Sequence, residues 1–209
     1  RIAGVIFRIS SSNDARWAKL QELRRAVDLV QEAGKPVYAW ADALNLPTLY
    51  LAAGCDEVMM PEGGYFMIKG ANLQQPYVRG VLDKLGIKPH LHTLKDYRAA
   101  AEIVMGTPMS EPARERRRWI ADDIWTVALP TRAAERGLSE EQLYEHMAYA
   151  EFTCNEAATA GLIDEVVYLQ ELHERLKGED DDLLRTVGHC DYAEVSWKDA
   201  GRKGGDTVA

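Results

Sequence analysis

The sequence predicts an α/β fold with a mainly parallel sheet, and three observations carry that prediction. Short apolar runs alternate with stretches whose apolar residues recur at spacings of three and four. Glycines stand where the helical stretches should stop, at Gly34, Gly54, Gly86, Gly137 and Gly161. The resulting order of strand, helix, glycine stop and strand is a βαβ unit, which joins parallel neighbours.

The elements follow in order. Residues 2–9 (IAGVIFRI) read as a short buried strand. Asn13 or Asp14 can cap the next helix by accepting its orphan N–H groups. Trp17, Leu20, Leu23, Val27 and Val30 then form one helical face, ended by Gly34. Residues 37–40 (VYAW) are the second strand. Residues 46–53 are helical, with Pro47 tolerated in the first turn. Residues 57–60 and 65–68 are strands, and Gly63-Gly64 between them is a tight turn. A helix covers 76–85, and 87–94 is extended. A long helix starts after Ser110 and runs toward Arg136, with Pro130 expected to kink it. Ser139…Gln142 and Thr153…Glu156 have capping-box spacing. The helix after Thr153 stops at Gly161, and 162–167 (LIDEVV) is the next strand. We expect one domain over 1–176 and a linker or tail over 177–209, where the acidic run 178–182 and the Gly- and Lys-rich 201–205 lie.

Composition narrows function. With 209 residues the chain can bury a core without disulfide staples. Lys and Arg total 25 against 33 Asp and Glu, a net charge of −8. That balance argues against nucleic-acid and anionic-membrane binding. Cys55, Cys154 and Cys190 form no Cys-x-x-Cys pair, so a zinc site or disulfide framework is not expected. No apolar run approaches the length of a membrane span, and no signal peptide is visible. The chain opens on Arg1 and enters a strand at once, so we expect a piece of a longer protein.

Few side chains announce chemistry. His90 and His92 alternate on one side of an extended stretch, but a metal would need a third ligand and none is obvious. His146, His173 and His189 are isolated. The run Arg114, Arg116, Arg117, Arg118 is interleaved with Glu111, Glu115, Asp122 and Asp123 and reads as a solvated, ion-paired face. No metal and no cofactor is expected.

Two segments say more. Tyr97-Arg98-Ala99-Ala100-Ala101-Glu102 leads to Met109-Ser110, and Thr153 leads through Ala157, Gly161, Leu162 and Ile163 to Asp164. Together with Gly34-Lys35-Pro36-Val37-Tyr38-Ala39 and Leu82-Asp83-Lys84-Leu85-Gly86-Ile87, they resemble the signal peptide peptidase A (SppA) family over roughly 1–176. The family's pattern is Tyr-Lys-Ser-Ala-x-Glu followed by Met-Ser, and later Thr-Gly-x-x-Ala-x-x-x-Gly-Leu-Val-Asp. The resemblance implies a ClpP/crotonase-like fold, a mainly parallel sheet of repeated ββα and βαβ units with flanking helices. It also implies a serine peptidase in which a Lys general base activates a Ser nucleophile.

Carried over residue by residue, the family's chemistry meets three departures. Arg98 stands at the lysine position. The nucleophile's turn falls on Asn45-Leu46-Pro47-Thr48, near Leu46. The glycine pair expected to hold the oxyanion falls on Ser11-Ser12-Asn13. A guanidinium keeps its proton at any useful pH, so Arg98 cannot serve as base. Lys95, one turn earlier if the stretch is helical, is a candidate displaced base.

In the long form of the family two similar halves share one chain, the first giving the lysine and the second the serine. The expectation is therefore an N-terminal half that is inactive alone and meets its serine in a second half or a homo-oligomer. Its substrate would be peptide, its setting the bacterial cell envelope at the inner membrane, with membrane association only through segments absent here. A non-catalytic scaffold of the same fold, or an acyl-CoA enzyme, are the alternatives.

Overall fold

The computed structural model describes residues 2–10, 16–69, 74–90, 101–106, 108–135, 137–178 and 183–196, with the backbone alone over 127–135. In chain order the elements begin β1 (Val5–Ile9), α1 (Trp17–Glu32), β2 (Val37–Ala41), β3 (Ala43–Asn45), α2 (Leu46–Ala52), β4 (Glu57–Met60) and β5 (Tyr65–Met67). They continue with α3 (Arg79–Lys84), α4 (Glu102–Met105), α5 (Glu111–Glu135), α6 (Glu140–Tyr149), β6 (Glu151–Phe152) and α7 (Cys154–Thr159). β7 (Glu165–Val166), α8 (Leu169–Leu176) and α9 (His189–Ala193) complete the order. The chain divides into two compact units, Arg1–Met67 with Glu151–Ala209, and Ile68–Ala150.

The first unit holds the predicted parallel sheet, in the order β1-β2-β4-β7 with every pair parallel. Its middle is built from small and flexible residues. Val37, Ala39 and Ala41 of β2 and Val58, Met59 and Met60 of β4 are fully buried. A second sheet, β3-β5-β6, pairs β3 parallel and β6 antiparallel to β5. Phe66 and Phe152 meet edge to face across it, with ring centroids 5.9 Å apart.

Helix α1 buries Leu20 and Val27 as expected, but Leu23 is 37% exposed. The buried face is turned toward Arg24 instead. Gly54 has no side chain, and a Cβ there would lie 1.8 Å from the Arg24 guanidinium carbon. That space lets Arg24 lie flat over the turn and reach the Tyr50 carbonyl at 3.4 Å. Gly64 has a similar role. Its Cβ would stand 3.0 Å from Cys154 Sγ and 3.0 Å from the Pro61 carbonyl oxygen. The predicted turn is present, closed by Gly64 N–H to Pro61 O at 2.9 Å.

Two strand starts are built alike. The Asp56 N–H donates to the Val37 carbonyl at 2.8 Å while the Val37 N–H donates to Asp56 Oδ2 at 2.7 Å. The Asp164 N–H donates to the Val58 carbonyl at 2.8 Å while the Val58 N–H donates to Asp164 Oδ2 at 2.7 Å. Each carboxylate thus satisfies an N–H near the start of the neighbouring strand, Val37 the first residue of β2 and Val58 the second of β4, which would otherwise be an orphan. Both aspartates open the same tripeptide, Asp56-Glu57-Val58 and Asp164-Glu165-Val166. The two glutamates converge on Arg175 of α8, each at 2.6 Å. Burial works against the Arg175 charge, but Glu57 and Glu165 outweigh it and raise its pKa above the usual arginine value.

In the second unit α5 is a single helix through Pro130, capped by Ser110, so the expected kink does not interrupt it. Trp125 of α5 and Tyr144 of α6 meet edge to face at 5.7 Å. The helix expected over 76–85 starts later, at Arg79. The Val78 N–H, which no carbonyl within the helix could accept, donates to the Ile103 carbonyl at 2.8 Å. Among the described residues no helix is long and apolar enough to cross a membrane. The 177–209 stretch contributes α9, in which no residue is buried.

Candidate active site

The turn matched to the nucleophile's place is the β3–α2 corner. Asn45 ends β3 in extended backbone and caps α2. Thr48 N–H donates to Asn45 Oδ1 at 3.1 Å, and Asn45 N–H donates to Thr48 Oγ1 at 2.8 Å. The Thr48 hydroxyl donates back to Asn45, with Oδ1 at 3.0 Å and the carbonyl at 3.2 Å. Its proton and a lone pair are therefore committed to the turn. Pro47 occupies a first-turn position where a missing N–H costs nothing. Leu46 is 5% exposed and Thr48 is 5% exposed. The corner presents buried hydrocarbon and a fully engaged hydroxyl, so it offers no nucleophile. The spacing Asn45…Thr48 is itself a capping signal, one that the match to the nucleophile's turn obscures.

The base segment is described only from its C-terminal end. Arg98, Lys95 and Tyr97 lie outside the described residues, as do Ser11, Ser12, Asn13 and His92. From Glu102 onward the contacts are defined. Ser110 Oγ donates to Glu102 Oε1, and the Ser110 N–H reaches Glu102 Oε2 at 3.4 Å. The Ala113 N–H donates to Ser110 Oγ at 3.3 Å. Glu102 thus ties the start of α4 to the cap of α5 and places a negative charge at the positive end of a long helix. The sequence alone assigns neither residue a role, because a contact across a loop leaves no periodic trace.

The remaining candidates stay apart. His90 is exposed, and no group of three or more metal-ligating side chains occurs among the described residues. In the arginine run, Arg114 pairs with Glu111 at 3.5 Å on the surface. Arg117 instead turns inward to Gln75 Oε1 and to the Gln74 carbonyl at 3.4 Å. Cys154 is fully buried against Gly64, and burial pushes its thiol above the usual cysteine value despite a backbone hydrogen bond from Gly64 that works the other way. Such a thiol is a packing group and a poor nucleophile at neutral pH.

Comparison with known proteins places these features. The chain is similar to the chloroplastic serine protease SPPA of Arabidopsis thaliana, with 28% identity over 100% of this chain and 32% of that protein. It is similar to Protease 4 of Haemophilus influenzae, with 26% identity over 68% of this chain and 23% of that protein. It therefore spans between about a quarter and a third of the length of these relatives. The solved structure of a membrane-bound stomatin-specific protease mutant in complex with a substrate peptide overlays 91% of this chain and 95% of its own, at 12% identity and a TM-score of 0.42. The sequence model of peptidase family S49 matches residues 30–182, which takes in the β3–α2 corner, the Glu102–Ser110 tie and the Asp164 strand start. On that match, and with the predicted α/β class and parallel sheet in place, this chain belongs to peptidase family S49.

Proposed function

We propose that this chain is the N-terminal region of an SppA-like serine peptidase that degrades cleaved signal peptides. Residues 1–176 form its peptidase-like part and 177–209 a linker or tail. It is inactive alone, and the serine comes from a second similar half or from another copy of the chain. The observation that supports this reading is the β3–α2 corner, the turn that the resemblance assigns to the nucleophile, where Leu46 is buried and the Thr48 hydroxyl is bonded to Asn45. Arg98 in the lysine's place agrees with inactivity alone, because a guanidinium cannot accept the hydroxyl proton, but it does not suit an N-terminal half, which in this family supplies the lysine. In the assembled enzyme Arg98 would hold a carboxylate or carbonyl at the interface between the halves, or position substrate. The setting proposed is the cell envelope, with membrane association through segments other than those described. The named relatives come from a plant chloroplast as well as from bacteria, so kinship leaves the source open.

The test is hydrolysis of fluorogenic peptides by the isolated chain. No turnover is expected, and Lys95→Ala should change nothing. Turnover that disappears in Lys95→Ala would sink the claim of inactivity and make Lys95 the base. In the complete protein Arg98→Lys should raise activity. A complete protein that is folded but silent with and without Arg98→Lys would favour the second reading, a non-catalytic scaffold. That reading is supported by the same corner, whose polar groups all serve the capping box.

A further inference from the structure

In the second unit, residues 74–78 run into α3 as a non-helical stretch whose exposure alternates. Gln74, Pro76 and Val78 are exposed, and Gln75 and Tyr77 are half-buried. A period of two marks extended backbone, so Gln75 and Tyr77 share the inner face, about 7 Å apart along the chain. The Gln75 side-chain nitrogen and the Tyr77 hydroxyl are shut off from solvent, and neither has a hydrogen-bond partner among the described residues. A buried donor with no acceptor lowers stability, so native chains keep few of them. The amide orientation is set by α5, because the Arg117 guanidinium donates to Gln75 Oε1 and leaves Nε2 as the open end. Arg117 also reaches the Gln74 carbonyl at 3.4 Å, which brings its positive charge to the same stretch. A guanidinium and a carboxamide nitrogen can only donate, and a phenol hydroxyl can donate as well.

We propose that Gln75, Tyr77 and Arg117 form a carboxylate site, which takes the free C-terminus of a peptide. The carboxylate accepts from Gln75 Nε2 and from the Tyr77 hydroxyl, with the Arg117 charge beside it. An ionised carboxylate only accepts, offers about four lone-pair sites, and forms stronger hydrogen bonds than a water or a neutral carbonyl. The donors lie one side chain deep, behind exposed Gln74 and Pro76, so the ligand enters by parting this stretch from α5. Opening the stretch consumes part of the binding energy, and the affinity is correspondingly weak. The chemistry discriminates between peptides. A peptide released by an earlier cleavage ends in a carboxylate, whereas the same residue inside an uncleaved chain carries a neutral amide. That the carboxylate belongs to a peptide rests on the peptidase reading, and the carboxylate itself does not.

The test is an NMR titration of the isotope-labelled 209-residue chain with three probes. These are N-acetyl-trialanine as the free acid, the same peptide as its C-terminal amide, and inorganic phosphate. The free acid should shift the backbone signals of Gln75 and Tyr77, and the amide and phosphate should not. Two variants then separate a ligand site from a structural one. Tyr77→Phe removes the hydroxyl. Gln75→Glu places a carboxylate inside the chain, which keeps the bond from Arg117 and occupies the ligand's place. Each should weaken binding of the free acid about tenfold or more, the loss of a hydrogen bond to a charged group. Each should also leave the melting temperature unchanged or raised, because a donor without a partner has been removed or given an acceptor. A hydroxyl that serves the fold would lower it instead. Equal response to acid and amide, response to neither, an equal response to phosphate, or a lowered melting temperature in both variants would each overturn the proposal. Binding is read without turnover, so a failed titration leaves the peptidase reading standing, and a silent hydrolysis assay leaves the site standing.

Discussion

The starts of β4 and β7 and the helix α3 are built on opposite terms. At the strand starts, Asp56 and Asp164 satisfy a neighbouring backbone N–H at 2.7 Å and sit beside residues with no exposure at all, Val37 and Val58. In α3 no residue is buried, and Val81 and the C-capping Leu85 are 59% and 66% exposed. The first arrangement is held by groups that cannot leave without exposing or orphaning something. The second is held by its own backbone and by little else. The difference predicts a gradient of mutational effect.

The steep end lies at the aspartates. Asp164→Ala removes the acceptor for the Val58 N–H, and Asp56→Ala removes that for Val37 together with a 3.0 Å bond from Gln31. Each should cost about 2 kcal/mol, the penalty of a buried donor left without a partner. Asp→Asn keeps an acceptor oxygen and should cost less. Urea unfolding monitored by tryptophan fluorescence reads both. Equal losses for Ala and Asn, or none for either, would break the argument that the hydrogen bond matters.

The β3–α2 corner comes next. Asn45→Ala deletes the side-chain cap of α2, while the Thr48 hydroxyl keeps its bonds to the backbone of residue 45, for a loss of about 1 kcal/mol. Asn45→Asp should restore most of it. A neutral Asn45→Ala would mean that the corner is not a structural cap, and would reopen it as a site.

A smaller, pH-dependent effect belongs to Glu156. The Thr153 backbone N–H, and then its side-chain hydroxyl, hydrogen-bond the Glu156 carboxylate and lower its pKa below the ordinary 4.5. The folded state therefore holds this proton less tightly than the unfolded chain. The stabilisation is complete above the unfolded value and is lost as pH falls through the folded one. Glu156→Gln should match the parent in that acid range and trail it slightly at neutral pH. Parallel stability curves for the two proteins at every pH would rule the linkage out.

Legibility in the sequence follows the same gradient. The α1 face, the Ser139 and Thr153 capping boxes and the glycine stops are readable because each is a local pattern. Strands β3 and β6, at three and two residues, are too short to show a period. Helix α8 is hard to read although Leu172 is fully buried, because its key partners, Glu57 and Glu165, lie on two separate strands. The candidate site is legible only through resemblance. The resemblance points to Leu46 and Arg98, and the Asn45…Thr48 spacing is a local capping signal, but the Glu102–Ser110 tie depends on the fold in three dimensions.

The shallow end of the gradient is α3. Leu85→Ser and Val81→Ser place a hydroxyl where an apolar side chain already meets water, so neither desolvates a polar group nor opens a cavity. Each should shift stability by no more than about 0.5 kcal/mol, the range of surface substitutions. Ser and Val have near-equal helix propensities and Leu85 lies at the cap, so both changes are expected close to zero. Differential scanning calorimetry on the two variants reads it. A loss of about 2 kcal/mol in either would put these side chains in a core in solution, and the contrast between the strand starts and α3 would then disappear.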